Sequence, residues 1–262
     1  MFADLFPFVE LDNSEFMCRW TMNSKLVKEL GAVLVWIVTY AIVSSISIGL
    51  SEAINVPNSI TAIAYVVLCT VIILVLCRRK KLKYYGFNSL KGLNAKNLLY
   101  YIPLIVVASV NIWSGIHINN SLSQIALITI CMVCVAFIEE VIFRAFLMKA
   151  LMNKSSALAI IVSSSVFGII HFLNIFGGAD LVPTVLQVCY AMAFGFMCAA
   201  FFYKTDNIIP CILCHGVGNA LDTFLPPDLS ITMQYAGCIT IVILGSSYGV
   251  YLLTTKKKLR NL

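Results

Sequence analysis

The chain is made of long apolar runs that no soluble fold can hide. Eight of them, at about 31–50, 60–77, 98–113, 123–148, 157–174, 182–203, 208–224 and 231–253, approach the ~20 residues an α-helix needs to cross a bilayer. The runs are continuous rather than alternating, which excludes a membrane β-barrel. Only 11% of the 262 residues are charged, where an average soluble domain carries roughly a quarter. That balance excludes a disordered chain, a secreted disulfide scaffold and a nucleic-acid binder. The expectation is an all-α polytopic membrane protein with about eight transmembrane helices, whose first partner is the lipid bilayer.

The net charge of +6 then reports orientation. Arg78, Arg79, Lys80, Lys81 and Lys83, with Lys91 and Lys96, follow the second run. Lys149 and Lys154 follow the fourth, Lys204 the sixth, and Lys256, Lys257, Lys258 and Arg260 the eighth. The intervening loops hold Glu52, His117, Asp180 and Asp228 but no Lys or Arg. By the positive-inside rule both termini are cytoplasmic. Residues 1–30 have no basic start of a signal peptide and are expected to be a cytoplasmic tail or an interfacial helix carrying Phe2, Leu5, Phe6, Phe8 and Val9. Residues 31–262 are expected to form a single transmembrane domain.

A charge at mid-bilayer costs on the order of 3 kcal/mol, so ionisable groups inside the runs point to function. Deep inside a run they are few: Glu139, Glu140, Arg144, His171 and His215. Glu140 and Arg144 are four apart, share a helical face and can pair. Glu139 is rotated about 100° from Glu140 and is left without that cation, which suits it to act as a general base. His215 and Asn219 are again four apart, so an imidazole and a carboxamide project together and can hold a water or donate to an oxyanion. Gly216 and Gly218 beside them suggest close helix packing. His171 follows Phe167 by four. At about 1.5 Å per residue from the basic ends, Glu139 and His171 lie about 15–20 Å deep and His215 about 10 Å. These depths place the site in the cytoplasmic half of the membrane, to which it is expected to open.

The ten cysteines include two CxxC pairs, Cys131/Cys134 and Cys211/Cys214. Both lie inside apolar runs, where Cys is a small packable hydrophobe, so neither zinc binding by these thiols nor disulfides are expected.

Glu139-Glu140-x-x-x-Arg144, Phe167-x-x-x-His171 and His215-x-x-x-Asn219, in this order on three separate runs, resemble the motifs of the CPBP family. These are the CAAX proteases and bacteriocin-processing enzymes, also called ABI, whose eukaryotic member is the Ras-converting CAAX endopeptidase. The resemblance covers about residues 123–224 and the eight-helix plan. It implies an intramembrane endopeptidase acting on a membrane-associated peptide or protein: a CAAX tail, a bacteriocin leader or a signalling peptide. It further implies that Glu139 and His171 activate water and that His215 and Asn219 stabilise the oxyanion. Glu140, Arg144 and Phe167 then support the site. Two cofactor readings follow: none, with water activated directly by Glu139, or a metalloprotease with zinc held by Glu139, His171 and His215. The HExxH zinc motif is absent. Two other readings stand beside the peptidase. One is a catalytically silent immunity or regulatory scaffold. The other is a proton-coupled transporter, against which no repeat between the halves is visible. A bacterial plasma membrane is the expected location.

Overall fold

The computed structural model describes residues 13–89 and 99–255, with side chains from residue 24 onward. Eight helices run through them. They are α1 (Asn13–Ala53), α2 (Ser59–Arg78), α3 (Ile102–Ser114), α4 (Leu122–Met152), α5 (Ser156–Gly177), α6 (Leu181–Thr205), α7 (Ile209–Asp222) and α8 (Ile231–Thr254). No strand occurs among the described residues. The expected interfacial residues Phe2 to Val9, and the basic residues Lys91, Lys96, Lys256, Lys257, Lys258 and Arg260, lie outside the described residues, as does the side chain of Cys18.

Local chemistry sets the helix ends. Ser121 caps α4 by accepting from the Gln124 amide, while the Gln124 side chain accepts from the Ser121 amide at 3.1 Å. Ser155 and Ser230 cap α5 and α8 with one bond each, accepting from the Leu158 and Met233 amides. Proline stands in the first turn of α3 and of α7, where its missing N–H costs nothing. Gly178, at φ +91°, ends α5.

Six helices, rather than eight, are long and apolar enough to cross a membrane: α1 from Ser24, α2, α4, α5, α6 and α8. The third and seventh expected spans are short. At 14 residues α7 is about 21 Å long, less than the ~30 Å of a hydrocarbon core. Composition flagged both, but the Pro at their starts and the turns at their ends trim the helix.

Packing explains which helices carry the site. α6 packs on α5, α7 and α8, and α4 packs on α7, α2 and α1, while α3 lies on α7 and α8. Apolar side chains point outward from the flanking helices, as Leu34, Ile42 and Ile46 on α1 or Ile239, Ile243 and Val250 on α8. A surface of that kind suits lipid.

The two ends of the bundle differ. At one end Lys149 pairs with Asp206 at 2.6 Å, joining the ends of α4 and α6. There too the Ile208 amide donates to the Gly86 carbonyl at 2.9 Å, the Tyr85 ring packs on Phe146, and Lys204 donates to the Thr255 carbonyl. Arg78 to Lys83 and Lys154 belong to this end. At the other end the His117 amide donates to the Phe224 carbonyl at 2.8 Å, and the Asn111 carboxamide donates to Asp222 at 3.1 Å. The loops there hold no Lys or Arg.

Candidate active site

α4 changes its winding where the motif begins. Leu122–Glu140 is α-helical, and Val141–Met148 is π-helical, with i→i+5 bonding. Glu140 and Arg144 at this junction are wholly buried. Arg144 Nε sits 3.2 Å from Glu140 Oε2, an ionic contact without the direction of a hydrogen bond. The outer guanidinium nitrogens meet no acceptor. They lie instead over an aromatic face, with the guanidinium carbon 4.2 Å from the centre of the Phe167 ring.

His215, from α7, bridges the two glutamates. Its Nδ1 lies 3.0 Å from Glu140 Oε1 and its Nε2 3.6 Å from Glu139 Oε2. Glu140 is paired with Arg144 and acts as an acceptor, so Nδ1 carries a hydrogen. A neutral His215 then turns a lone pair toward Glu139, and two acceptors face each other unless one proton lies between them. Glu139 also accepts from the Tyr40 hydroxyl of α1 at 3.2 Å.

Phe167 is the hub. Its ring contacts Phe143, Phe194, His171 and His215, the two imidazoles edge-on at 5.2 Å and 5.6 Å between centres. His171 is the second residue of the 3₁₀ end of α5, and its Nδ1 lies 2.8 Å from the Phe167 carbonyl. A carbonyl only accepts, so Nδ1 is protonated, and Nε2 is the lone-pair nitrogen of the neutral ring. Gly168, next in the chain, lets α5 approach α6: a Cβ there would fall 2.9 Å from the Met192 amide nitrogen. Gly216 and Gly218 are less crowded, since a Cβ at either would make ordinary contacts.

Glu139, Phe167, His171, His215 and Asn219 all line one cavity of about 560 Å³. α4, α5 and α7 thus present these motif residues to a single space, while Glu140 and Arg144 stand behind it. The cavity runs from Glu139, Phe194 and His215 to Ser114, Ala179 and Leu229, at the end of the bundle whose loops lack basic residues. That differs from the expected opening toward the basic loops. Depth counted from helix ends says how far a residue lies from a surface, but not toward which surface its side chain leads.

Three ligands about 2 Å from one zinc ion lie within roughly 4 Å of one another. Among the described residues, the donors that lie within 4.8 Å of one another belong to Glu140, Cys198 and Cys211, not to Glu139, His171 and His215. Glu140 is committed to Arg144 and His215, and the Cys211 thiol donates to the Cys198 carbonyl at 3.5 Å. The residues as arranged do not fit the ion. Cys131, Cys214, Cys69 and Cys238 likewise donate to backbone carbonyls, as packed thiols do.

Sequence reasoning missed Tyr40 and the Asn111–Asp222 contact at the cavity's outer end. A hydroxyl-tipped ring in the middle of an apolar run was the available signal for Tyr40. Asp222, an acid four residues beyond Gly218, was a comparable one.

Comparison with curated proteins and with solved structures found no match. Residues 120–221, the stretch that supplies all three motifs, match the family model described as type II CAAX prenyl endopeptidase, Rce1-like.

Proposed function

We propose that the chain is a membrane-embedded endopeptidase of the CAAX type, with its catalytic centre at Glu139, His171, His215 and Asn219. The observation that carries this reading is the convergence of these four residues, from three helices, on one cavity. The family match over residues 120–221 supports the reaction class.

In this reading water attacks the scissile carbonyl carbon and Glu139 takes its proton. The Tyr40 hydroxyl holds the Glu139 carboxylate in place. The Nε2 lone pair of His171 orients the water, since its Nδ1–H is committed to the Phe167 carbonyl. The Asn219 carboxamide and a protonated His215 donate to the oxyanion. Collapse of the tetrahedral species breaks the C–N bond, and the proton passes to the leaving amine. Glu140 fixes the tautomer of His215, and Arg144 balances Glu140. The basic end of the bundle faces the cytoplasm, and α3 and α7 complete the eight-helix plan without crossing the whole bilayer. The substrate is a membrane-associated peptide.

The test is a comparison of membrane peptides from cells carrying wild-type protein and Glu139→Ala. Peptides that accumulate uncut only with the variant identify the substrate and support hydrolysis. An identical peptide profile, with the variant inserted at normal levels, sinks the reading.

A further inference from the structure

Five carboxamides line the cavity, each from a different helix: Asn111 of α3, Asn174 of α5, Gln187 of α6, Asn219 of α7 and Gln234 of α8. Asn111 and Gln234 spend their N–H groups on the wall itself, on Asp222 and the Gly218 carbonyl and on the Leu229 carbonyl. Asn174 and Gln187 are bonded to each other, Asn174 Nδ2 donating to Gln187 Oε1 at 2.8 Å between α5 and α6. A carboxamide has two N–H donors and one carbonyl acceptor, so a pair joined by one bond still presents a donor and an acceptor side by side. The open edge of a β-strand presents the same pattern.

The place of this pair fits a substrate. His171 and Asn174 are three apart in the 3₁₀ stretch Ile170–Gly177, where side chains at that interval eclipse one another. At about 2.0 Å per residue, Asn174 stands about 6 Å beyond His171 on the same face. An extended peptide advances about 3.3 Å per residue. A chain laid with its scissile carbonyl at His171 therefore brings the main chain about two residues away to the pair. A peptide in lipid satisfies its backbone as a helix, and a bond exposed to water attack must be unwound. The N–H and C=O groups so released need polar partners inside the cavity.

We infer that the Asn174–Gln187 pair binds the main chain of the peptide about two residues from the scissile bond and holds it extended across His171. Asn174 accepts from a peptide N–H and Gln187 donates to a peptide carbonyl. Bonds to the main chain give affinity whatever the side chains are, so the pair selects for unwound backbone rather than for sequence. The inference rests on the peptidase reading.

The probe is a synthetic farnesylated peptide ending in a CAAX sequence, with copies in which one backbone amide at a time is replaced by an ester that lacks the N–H. Mass spectrometry of a wild-type digest locates the scissile bond. Affinities are measured on the full-length Glu139→Gln protein in detergent, which holds the probe uncut, and on the same protein with Asn174→Leu or Gln187→Met added. Each near-isosteric change should weaken binding of the all-amide probe about tenfold, the effect of one hydrogen bond, with little change in unfolding temperature. The ester about two residues from the scissile bond should bind about tenfold more weakly to the Glu139→Gln protein, and Asn174→Leu should cost that ester probe nothing further. Unchanged affinity in both variants, losses that are the same for every ester probe, or a probe that does not bind would overturn the inference. A probe cut by the wild type but indifferent to the pair leaves the peptidase reading standing. A probe bound with the expected pattern yet left uncut by the wild type counts against the peptidase reading and not against the pair.

Discussion

The Arg144 guanidinium rests on the face of the Phe167 ring, 4.2 Å from its centre, and its outer nitrogens have no acceptor. A fully desolvated cation–π contact is worth about 2 kcal/mol. Phe167→Leu keeps most of the volume and removes the ring. It should lower stability by about 2 kcal/mol and reduce turnover as well, because the same ring abuts His171 and His215. Thermal unfolding in detergent beside a cleavage assay checks both. Unchanged stability would show that the guanidinium is held by something other than the ring.

Arg144 and Glu140 should behave as a unit. Arg144→Met leaves a wholly buried carboxylate without its cation, which costs about 3–5 kcal/mol and should abolish accumulation of folded protein. Glu140→Gln combined with Arg144→Met removes both charges and should recover much of the yield. The double variant should stay poorly active, since His215 loses the charged partner that fixes its tautomer. Quantified membrane yield and single-turnover rates separate the two effects.

Tyr40→Phe deletes one hydrogen bond to Glu139 and little else, because its ring still packs on Tyr65. A loss of about 1.4 kcal/mol corresponds to a tenfold fall in kcat. KM and unfolding temperature should barely move. A wild-type kcat would remove Tyr40 from the site.

Asn219→Ala should lower kcat by about 100-fold or more, the usual effect of losing one oxyanion donor. Glu139→Gln should eliminate turnover while leaving the fold intact, since the amide keeps the volume and can still accept from Tyr40. Steady-state kinetics on one peptide, with unfolding curves for each variant, would expose a purely structural effect.

Gly168→Ala should destabilise the protein by about 1–3 kcal/mol through overpacking, because the added methyl meets the Met192 backbone. Gly218→Ala should be close to neutral. If the two glycine variants unfold alike, the close approach of α5 and α6 is not where the structure places it.

Much of the site was legible because spacing along one helix is a local quantity. The Glu140–Arg144 pair and the shared face of His215 and Asn219 follow from a four-residue interval. The 100° between Glu139 and Glu140 was also read from the helix, but not its consequence: one imidazole from α7 fits between the two carboxylates and touches both. Tyr40 stands out as a hydroxyl-tipped ring in an apolar run, but it lies 99 residues from Glu139, and nothing within α1 names that partner. The shortness of α3 and α7 was hidden because hydropathy records what a segment tolerates, not how far its helix extends. The direction in which the cavity opens depends on how α6 and α8 wall it, which is a property of packing rather than of any one run.

The loosely wound stretch Val141–Met148 gives α4 a kind of slack. Its two sides are anchored separately, Glu139 and Glu140 by His215 and Lys149 by Asp206. A residue lost beyond Arg144, between 145 and 148, can be taken up by tightening π turns into α turns, with neither anchor moved from its partner. The most heavily engaged stretch of the bundle is thereby the one in which chain length can drift while the chemistry stays where it is.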